Sequence, residues 1–247
     1  MTRHVRIGIL VPSSNTALEP LVSAIISSIQ SEELSISAHF SRFRVTTIDL
    51  SQKANAQFEL GTILSAARLL ADAHVDVIGW GGTSAGWLGF EVDERLCAAI
   101  EAETKIPATT STLALNQLLS LNGVKALGLV TPYLEEMNDR IISNYSTAGI
   151  VIKKSQETHL GITDNNKIVT VDEETLDGMV QVVADNGAKV ITTFCTNLHA
   201  AQRVEFWEKT HGMMVLDTVS TVVWGVLKLV EVDTALVKGW GRLFERT

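Results

Sequence analysis

The chain has 247 residues, which is enough for one large domain or two small ones. Hydrophobic residues make up 46% of the chain and charged residues 19%, a balance that supports a substantial core and excludes a disordered protein. The net charge of −8 comes without a basic stripe. We therefore expect no nucleic-acid partner, and we expect any anionic ligand to be held by local groups.

Cysteine and histidine usage narrows the chemistry further. Cys97 and Cys195 lie far apart in the sequence and form no disulfide framework, which indicates a reducing compartment and predicts a cytoplasmic protein. The six histidines show no ligand spacing, so no metal site is expected. The apolar run at 7–11 is too short for a secretory signal, and no stretch has the roughly 18 uninterrupted apolar residues of a membrane span.

Hydrophobic periodicity predicts strands that alternate with helices along the whole chain. The predicted strands are 5–11, 34–40, 43–48, 75–80, 106–108, 125–130, 149–153, 190–194 and 213–216. The predicted helices are 16–29, 58–73, 93–103, 112–121, 135–148, 172–186, 198–210 and 218–231. Asn15 or Thr16 is the expected N-cap of the first helix, and Glu19 completes a capping box with Thr16. The alternation predicts an α/β fold whose ligands bind outside the carboxyl ends of parallel strands.

Three segments of the first half match three of the second half in the same order. Residues 8–12 match 128–132, residues 77–84 match 190–197, and residues 111–115 match 220–224. Apolar strands that end in Gly, Pro, Ser or Thr are common in any α/β protein, so chance similarity is the alternative. We interpret the match as duplication into two pseudo-twofold-related, doubly wound parallel-sheet domains with the active site in the cleft between them. The predicted N-terminal half is 1–115 plus 217–247, and the C-terminal half is 116–216.

Cys195 is the main candidate catalytic residue, and Gly82 stands at the matching position of the first half. A free cysteine is often a small buried apolar residue, and this is our interpretation of Cys97 inside its amphipathic helix. Cys195 instead follows a buried strand and opens a polar loop, where a following helix N-terminus would lower the pKa of a thiol. A site between the two halves would therefore hold an acid or base on one face only.

Polar residues flank Gly82 and Cys195 in the sequence. Thr83, Ser84, Thr196 and Asn197 are either helix N-caps or an anion cradle, and both roles are compatible. Ser13, Asn15 and Tyr133 follow the matched prolines Pro12 and Pro132, and Tyr133 is a candidate hydroxyl donor. The run Gly79-Trp80-Gly81 begins like a dinucleotide-binding loop, but Ser84 stands where the third glycine belongs, so no cofactor is expected.

Motifs along nearly the whole chain resemble the aspartate/glutamate racemase superfamily, in its branch of maleate cis–trans isomerases and arylmalonate decarboxylases. Residues 11–16 with Glu19-Pro20 are similar to the isomerase signature. Segments similar to the decarboxylase are 82–84, 109–112, 131–133, 160–163 and 239–244. The resemblance implies that Asn15 and Asn165 match isomerase positions that hold a substrate carboxylate. It also implies that Gly82 occupies the first of two cysteine positions, as in arylmalonate decarboxylases.

A single cysteine favours decarboxylation, because racemisation and adduct-forming isomerisation each need a reactive group on both faces of the substrate. We expect a cofactor-independent decarboxylase of a malonate-type diacid, with an aryl or alkenyl substituent as one option. Thr83, Ser84, Tyr133 and the backbone N–H groups of Cys195 and Thr196 would hold the enediolate, and Cys195 would protonate it. The alternatives are an isomerase of a small dicarboxylate and a carboxylate-binding protein without catalysis. Superfamily members are often dimers, so a homo-oligomer is a further expectation.

Overall fold

Two four-stranded parallel sheets form the centre of the molecule, and both have the same strand order. The computed structural model describes residues 2–52 and 56–245. The first sheet has the order β2-β1-β3-β4 and the second the order β6-β5-β7-β8. The strands are β1 (Arg3–Pro12), β2 (Leu34–Phe43), β3 (Val77–Trp80), β4 (Ala108–Thr110), β5 (Gly128–Thr131), β6 (Glu157–His159), β7 (Val190–Thr193) and β8 (Met214–Asp217). This arrangement confirms the predicted α/β fold built from two like parallel sheets.

Helices cover both sheets. They are α1 (Leu18–Ser27), α2 (Leu60–Asp72), α3 (Ala85–Leu88), α4 (Phe90–Thr104), α5 (Ser111–Leu121), α6 (Glu135–Thr147), α7 (Asn165–Ile168), α8 (Glu173–Asp185), α9 (Val204–His211) and α10 (Thr218–Leu229). Short 3₁₀ turns lie at Ala56–Phe58, Lys154–Gln156, Ala201–Arg203 and Thr234–Leu236. None of the helices in the described ranges is long and apolar enough to cross a membrane.

The first sheet has a different helix layer on each face. Residues of α2 and α4, among them Ile63 and Leu96, pack with Trp80 on one face. On the other face, α10 packs against α1, α5 and strands β3 and β4. The last helix of the chain thus lies beside the first sheet, although it follows the second sheet in sequence. The exact boundaries of the two halves, 1–115 plus 217–247 and 116–216, stay a prediction.

Equivalent strands of the two sheets bring equivalent loops to the same edge. Trp80 ends β3 in register with Leu10 of β1, and Thr193 ends β7 next to Val130 of β5. The carboxyl ends of parallel strands lie at one edge of a sheet, which is where ligands bind in folds of this kind. Cys195 follows β7 at the same distance as the matching glycine follows β3.

Two predicted strands are absent. Residues 44–48 form only an isolated bridge, between Thr47 and Asp164, because their backbone groups bond to side chains and loops instead of a ladder. The Val45 N–H, for example, donates to the Ser13 hydroxyl at 3.1 Å. Residues 149–153 form only the bridge between Ala126 and Val151. The strand that pairs with β5 begins later, at 157, after a 3₁₀ turn.

Two helix starts also differ from the prediction. The helix expected at 198–210 begins only at Val204, because residues 195–203 form turns around the sheet edge. The helix expected at 16–29 begins at Leu18 with Ala17 at its N-cap, so the predicted N-cap at Asn15 or Thr16 is wrong. The Asn15 side-chain oxygen instead forms a turn just before the helix, where it accepts from the N–H groups of Ala17 at 3.1 Å and Leu18 at 2.9 Å. The capping box predicted for Thr16 is not formed, because Glu19 pairs with Arg42 instead.

Candidate active site

A cavity of about 30 Å³ lies where the loops after β1, β3, β5 and β7 converge, and we call it the central cavity. It contains every residue proposed for the site except Ser13. Its lining residues are Pro12, Asn15, Val45, Ile48, Phe58, Trp80, Gly82, Thr83, Ser84, Trp87, Tyr133, Asn165, Cys195, Thr196 and Asn197. A cavity of this size holds about two water molecules, so a diacid fits only if side chains that line it move.

Cys195 lies in the wall of the central cavity and is 2% exposed. Burial raises the pKa of its thiol to about 11, and the nearby Asp217 carboxylate raises it as well. Hydrogen bonds from the Tyr133 hydroxyl and from the backbone N–H groups of Asn197 and Leu198 lower the pKa only in part. The expected helix N-terminus does not follow Cys195, since the next α-helix begins at Val204. The thiol is therefore protonated at neutral pH and can act as an acid.

Two hydroxyl groups from the two halves of the chain meet in the central cavity, and that of Tyr133 hydrogen-bonds to the thiol. Thr83 Oγ1 and Tyr133 Oη form a buried hydrogen bond of 2.8 Å. Burial raises the pKa of Tyr133 well above its usual value, and the neighbouring Cys195 raises it further. Tyr133 thus stays a neutral hydrogen-bond donor. The ring of Trp87 packs against Tyr133 edge to face at 5.3 Å, which fixes the plane of the phenol.

Gly82 faces the central cavity from the first half, but its missing side chain is replaced by an indole ring. A Cβ atom built on Gly82 would lie 2.1 Å from Cζ2 and 2.4 Å from Cε2 of Trp80. Trp80 is 1% exposed and packs on Phe43 with ring centroids 4.9 Å apart. The cavity wall at Gly82 is therefore covered by a group that neither accepts nor donates a proton at ordinary pH.

Side chains proposed as carboxylate ligands link the two halves of the chain through hydrogen bonds. Thr196 Oγ1 donates to the backbone oxygen of Gly81 at 3.0 Å and accepts from Asn15 Nδ2 at 3.1 Å. Asn197 Oδ1 accepts from the N–H groups of Thr16 at 3.0 Å and Ala17 at 3.3 Å. Three of these contacts tie the loop after β7 to the loop after β1, and the bond to Gly81 ties it to the loop after β3.

The same network continues to Asn165 in the second half. Asn197 Nδ2 donates to the backbone oxygen of Asn165 at 2.7 Å, and Asn165 Nδ2 donates to Ser14 Oγ at 2.9 Å. Ser13 is not part of the cavity wall, because its hydroxyl bonds to the backbone of Val45 on the side of the next loop. The asparagine amides are thus already paired, and a substrate carboxylate must displace some of these bonds to reach them.

Backbone donors remain available around the cavity. Across residues 2–52 and 56–245, the N–H groups of Gly82, Thr83, Ser84, Cys195 and Thr196 donate to no protein oxygen in the structure. Unpaired N–H groups at the ends of strands are suited to hold an anion. No Lys, Arg or His is among the residues that line the central cavity. Negative charge in this cavity is therefore stabilised by neutral hydrogen-bond donors.

Five apolar or aromatic wall residues were not predicted from the sequence: Val45, Ile48, Phe58, Trp80 and Trp87. Val45, Ile48, Phe58 and Trp87 lie on segments outside the matched motifs. Trp80 lies within a matched strand, at a position that the hydrophobic pattern alone assigns to the core. The indole N–H of Trp87 is buried and has no hydrogen-bond partner within the described part of the chain. Within residues 2–52 and 56–245, no group of three or more His, Cys, Asp or Glu side chains could hold a metal ion.

The fold and this cavity define a duplicated α/β protein with a buried thiol and an array of neutral donors where two parallel sheets meet. The family model described as arylmalonate decarboxylase matches residues 21–244. The chain belongs to this arylmalonate decarboxylase family.

Relatives carry two different activities in their names. The maleate isomerase of Geobacillus stearothermophilus is 26% identical over 243 residues, 95% of each chain. The arylmalonate decarboxylase of Bordetella bronchiseptica is 26% identical over 192 residues, 75% of this chain and 78% of that protein. Among solved structures, a cysteine-to-serine variant of the Nocardia farcinica maleate cis–trans isomerase, with a covalently bound succinylcysteine intermediate, has a TM-score of 0.88 at 22% identity. It covers 99% of this chain and 100% of that one, and at this identity it shows the fold alone.

Proposed function

We propose that this chain is a cofactor-independent decarboxylase of a malonate-type diacid. The observation that carries the proposal is the asymmetry of the central cavity. Cys195 supplies a protonated thiol on one side, while Trp80 covers the matching position, Gly82, on the other. Decarboxylation followed by protonation needs one acid and no group on the opposite face. The remaining substrate carboxylate would bind to neutral donors, which the cavity provides.

The mechanism follows from the positions of the donors. The bond between the α-carbon and one carboxyl group breaks, carbon dioxide leaves, and the electron pair moves into an enediolate. Tyr133 Oη and Thr83 Oγ1, together with the free backbone N–H groups, donate to its oxygens, and each fixed donor contributes about 2.7–4 kcal/mol in comparable oxyanion sites. The Sγ–H bond of Cys195 then breaks as the new C–H bond forms on the same face, and solvent reprotonates the thiolate.

The apolar part of the wall favours loss of the carboxyl group that is not held. Val45, Ile48, Phe58 and Trp87 offer a carboxylate no hydrogen-bond donor except the Trp87 indole N–H. A carboxylate in such surroundings loses hydration, whereas carbon dioxide, which is neutral, does not. The bond cleavage is thus favoured on the apolar side of the cavity and the charge is retained on the donor side.

Isomerisation of a small dicarboxylate is the second candidate, and similarity favours it. The maleate isomerase of Geobacillus stearothermophilus matches 95% of this chain, whereas the decarboxylase match covers 75%. Asn15 and Asn165 could hold the second carboxylate once their hydrogen bonds to Thr196 and Ser14 open. Adduct formation, however, needs a thiolate nucleophile, and the pKa of Cys195 is raised to about 11. The isomerase hypothesis therefore requires the pKa of this thiol to fall on substrate binding.

A panel of diacids decides between these functions. The purified protein is incubated with phenylmalonate, methylphenylmalonate and maleate, while carbon dioxide release and the ultraviolet absorbance of maleate are followed. Carbon dioxide and an α-aryl acid of one handedness are expected from the malonates, and no fumarate from maleate. Fumarate formation without carbon dioxide would establish the isomerase instead. Tight binding with no turnover of any diacid would leave the third alternative, a carboxylate-binding protein.

Two cysteine variants provide the matched control. Cys195→Ala should abolish product formation, because it removes the only thiol in the wall of the central cavity. Cys97→Ala should retain it, since Cys97 lies on α4 in a separate apolar cluster. Full activity of folded Cys195→Ala would exclude the proposed proton donor.

A further inference from the structure

A series of buried hydrogen bonds lies behind Tyr133, outside the central cavity. The Thr131 hydroxyl accepts from the Tyr133 backbone N–H at 3.2 Å and donates to Asn138 Oδ1 at 2.7 Å. Asn138 Nδ2 in turn donates to Glu157 Oε1 at 2.5 Å. We call these four residues the Asn138 network. Thr131 and Asn138 are fully buried, neither lines the central cavity, and the catalytic steps proposed above use neither.

Glu157 fixes the direction of the hydrogen bonds in the Asn138 network. A carboxylate only accepts hydrogen bonds, so the amino group of Asn138 faces Glu157 and the amide oxygen faces Thr131. The Thr131 hydroxyl must then donate to Asn138, which leaves its oxygen to accept from Tyr133. Glu157 Oε1 also forms a hydrogen bond of 2.7 Å with His159 Nδ1. The network therefore has a single arrangement, and a satisfied buried network of this kind is rigid.

The first half of the chain has apolar side chains at the matching positions. Val11 matches Thr131, and Leu18 follows Val11 by seven residues, as Asn138 follows Thr131. Val11 and Leu18 are both fully buried. An apolar pair thus fills this space in one half, so packing alone does not require a polar pair in the other. The polar pair occurs in the half that contains the proposed donor Tyr133.

We propose that Asn138 is a positioning residue, which acts through Thr131 to hold Tyr133 where its hydroxyl can donate to the enediolate. An oxyanion site works only when its donors are fixed in advance, and supporting hydrogen bonds provide that fixation. A misplaced Tyr133 hydroxyl would stabilise the transition state less, while the other donors would still bind the substrate. The kinetic effect rests on the proposed function, whereas the positioning of Tyr133 does not.

A double variant tests the positioning of Tyr133 without catalysis. Thr131→Val/Asn138→Leu reproduces the apolar pair of the first half, and replacing both partners by apolar groups of similar shape can be nearly neutral for stability. The chain has two tyrosines, Tyr133 and Tyr145, so labelling with fluorotyrosine gives two resonances in fluorine-19 NMR. The Tyr133 resonance should shift by more than its line width in the double variant, and the Tyr145 resonance should not. An unchanged Tyr133 resonance in the folded variant would overturn the inference.

Two further variants separate positioning from packing. Thr131→Ser keeps the hydroxyl group, so the Tyr133 resonance should stay within its line width of the wild type. Gln156→Met is the matched control, because Gln156 is a buried amide next to Glu157 that donates to the backbone oxygen of Asn186 at 2.8 Å instead. It should also leave the resonance in place. A shift in Gln156→Met as large as that in the double variant would show that loss of any buried amide has this effect, and the inference would then be wrong.

Steady-state assays with phenylmalonate connect Asn138 to catalysis. In the double variant kcat should fall at least tenfold while KM changes less than threefold, because the weakened interaction is made in the transition state. In a Tyr133→Phe background the same two substitutions should cause no further loss of kcat, since all three changes act on one hydroxyl group. A further tenfold loss in that background would show that Asn138 acts elsewhere and would overturn the inference.

The positioning role and the proposed function fail in different ways. If the double variant decarboxylates phenylmalonate at the wild-type rate while Tyr133→Phe is impaired, the positioning role is refuted and the proposed function stands. If the Tyr133 resonance shifts as expected but the wild type decarboxylates no malonate, the proposed function is refuted and the positioning of Tyr133 by Asn138 stands.

Discussion

The position opposite the thiol offers a quantitative test, because adding one methyl group there should force Trp80 to move. In Gly82→Ala the new Cβ would lie 2.1 Å from Cζ2, 2.4 Å from Cε2 and 2.7 Å from Cη2 of the indole. Overpacking of this kind typically costs about 1–3 kcal/mol. For a protein of this size, each kcal/mol corresponds to a decrease in Tm of about 2–4 °C.

A double-mutant cycle isolates this contact. The overlapping atoms are Cζ2 and Cη2 of the outer benzo ring and the ring-fusion atom Cε2, and the smaller ring of Phe reaches less far, so Trp80→Phe should make room for a Cβ at Gly82. We expect Gly82→Ala to cost about 1–3 kcal/mol in the wild type and close to nothing in the Trp80→Phe background, a coupling within the range observed for residues in contact. Urea denaturation of the four proteins measures the coupling.

Gly178→Ala is the control for the effect of glycine itself. Gly178 lies in α8, and a Cβ there would meet no heavy atom within 4 Å. This variant should be as stable as the wild type or more stable by up to about 1 kcal/mol, because alanine favours the helix. If Gly82→Ala behaves like Gly178→Ala, the indole does not cover the wall and the explanation given for the one-sided cavity is wrong.

A second thiol introduced at position 82 tests the role of Trp80 by its effect on the reaction. Gly82→Cys/Trp80→Phe would place thiols on both sides of the substrate and should racemise an α-aryl acid, as measured by chiral chromatography. Gly82→Cys alone should be less stable and less active in this assay, since its side chain competes with the indole for the same space. Equal racemisation by the single and double variants would contradict a blocking role for Trp80.

Three further predictions concern ionisable groups. Tyr133→Phe removes a donor that bonds to Thr83, so kcat should fall about 10²–10³-fold in steady-state assays, and an unchanged kcat would exclude this donor. Product formation should show no loss from ionisation of Cys195 below about pH 9 and should fall as the pH rises through its pKa of about 11, whereas a rate that increases with pH would indicate a thiolate nucleophile. Folded Asp93 has a pKa of about 7 against an ordinary value of 3.8, so the folded protein holds a proton that the unfolded chain releases between these values. This group therefore lowers stability by up to about 1.4 kcal/mol per pH unit as the pH rises through that window, and Asp93→Asn should remove that slope in urea titrations from pH 5 to 8.

The sequence predicted the positions of reactive residues better than it predicted the walls around them. Cys195, Gly82 and Tyr133 follow apolar strands, and in a parallel sheet the ends of neighbouring strands must share an edge. Phe58 and Val45 could not be placed in the same way, because they lie in loops whose course depends on contacts with distant segments. The segment 43–48 illustrates the reason: its alternation is that of a strand, but side chains of the β1–α1 loop occupy its backbone groups.

The direction of the pKa shift of Cys195 could not be predicted from the sequence either. A helix N-terminus close behind the thiol would have lowered its pKa, but the structure places turns there and encloses the sulfur completely. Burial depends on how the two sheets meet, and no local sequence pattern reports it. The direction of a pKa shift in a cleft between domains is therefore a tertiary property, even where the identity of the ionisable group is clear from the sequence.

The difference between the two halves extends beyond a cysteine and a glycine. Trp80 and Thr193 occupy equivalent positions at the ends of β3 and β7. Thr193 is small and donates to Asp217 at 2.7 Å, which leaves space for the side chain of Cys195 two residues later. Trp80 covers the corresponding space beside Gly82. One indole thus leaves no room for a second reactive side chain at this position, and the one-sided chemistry of the proposed function depends on it.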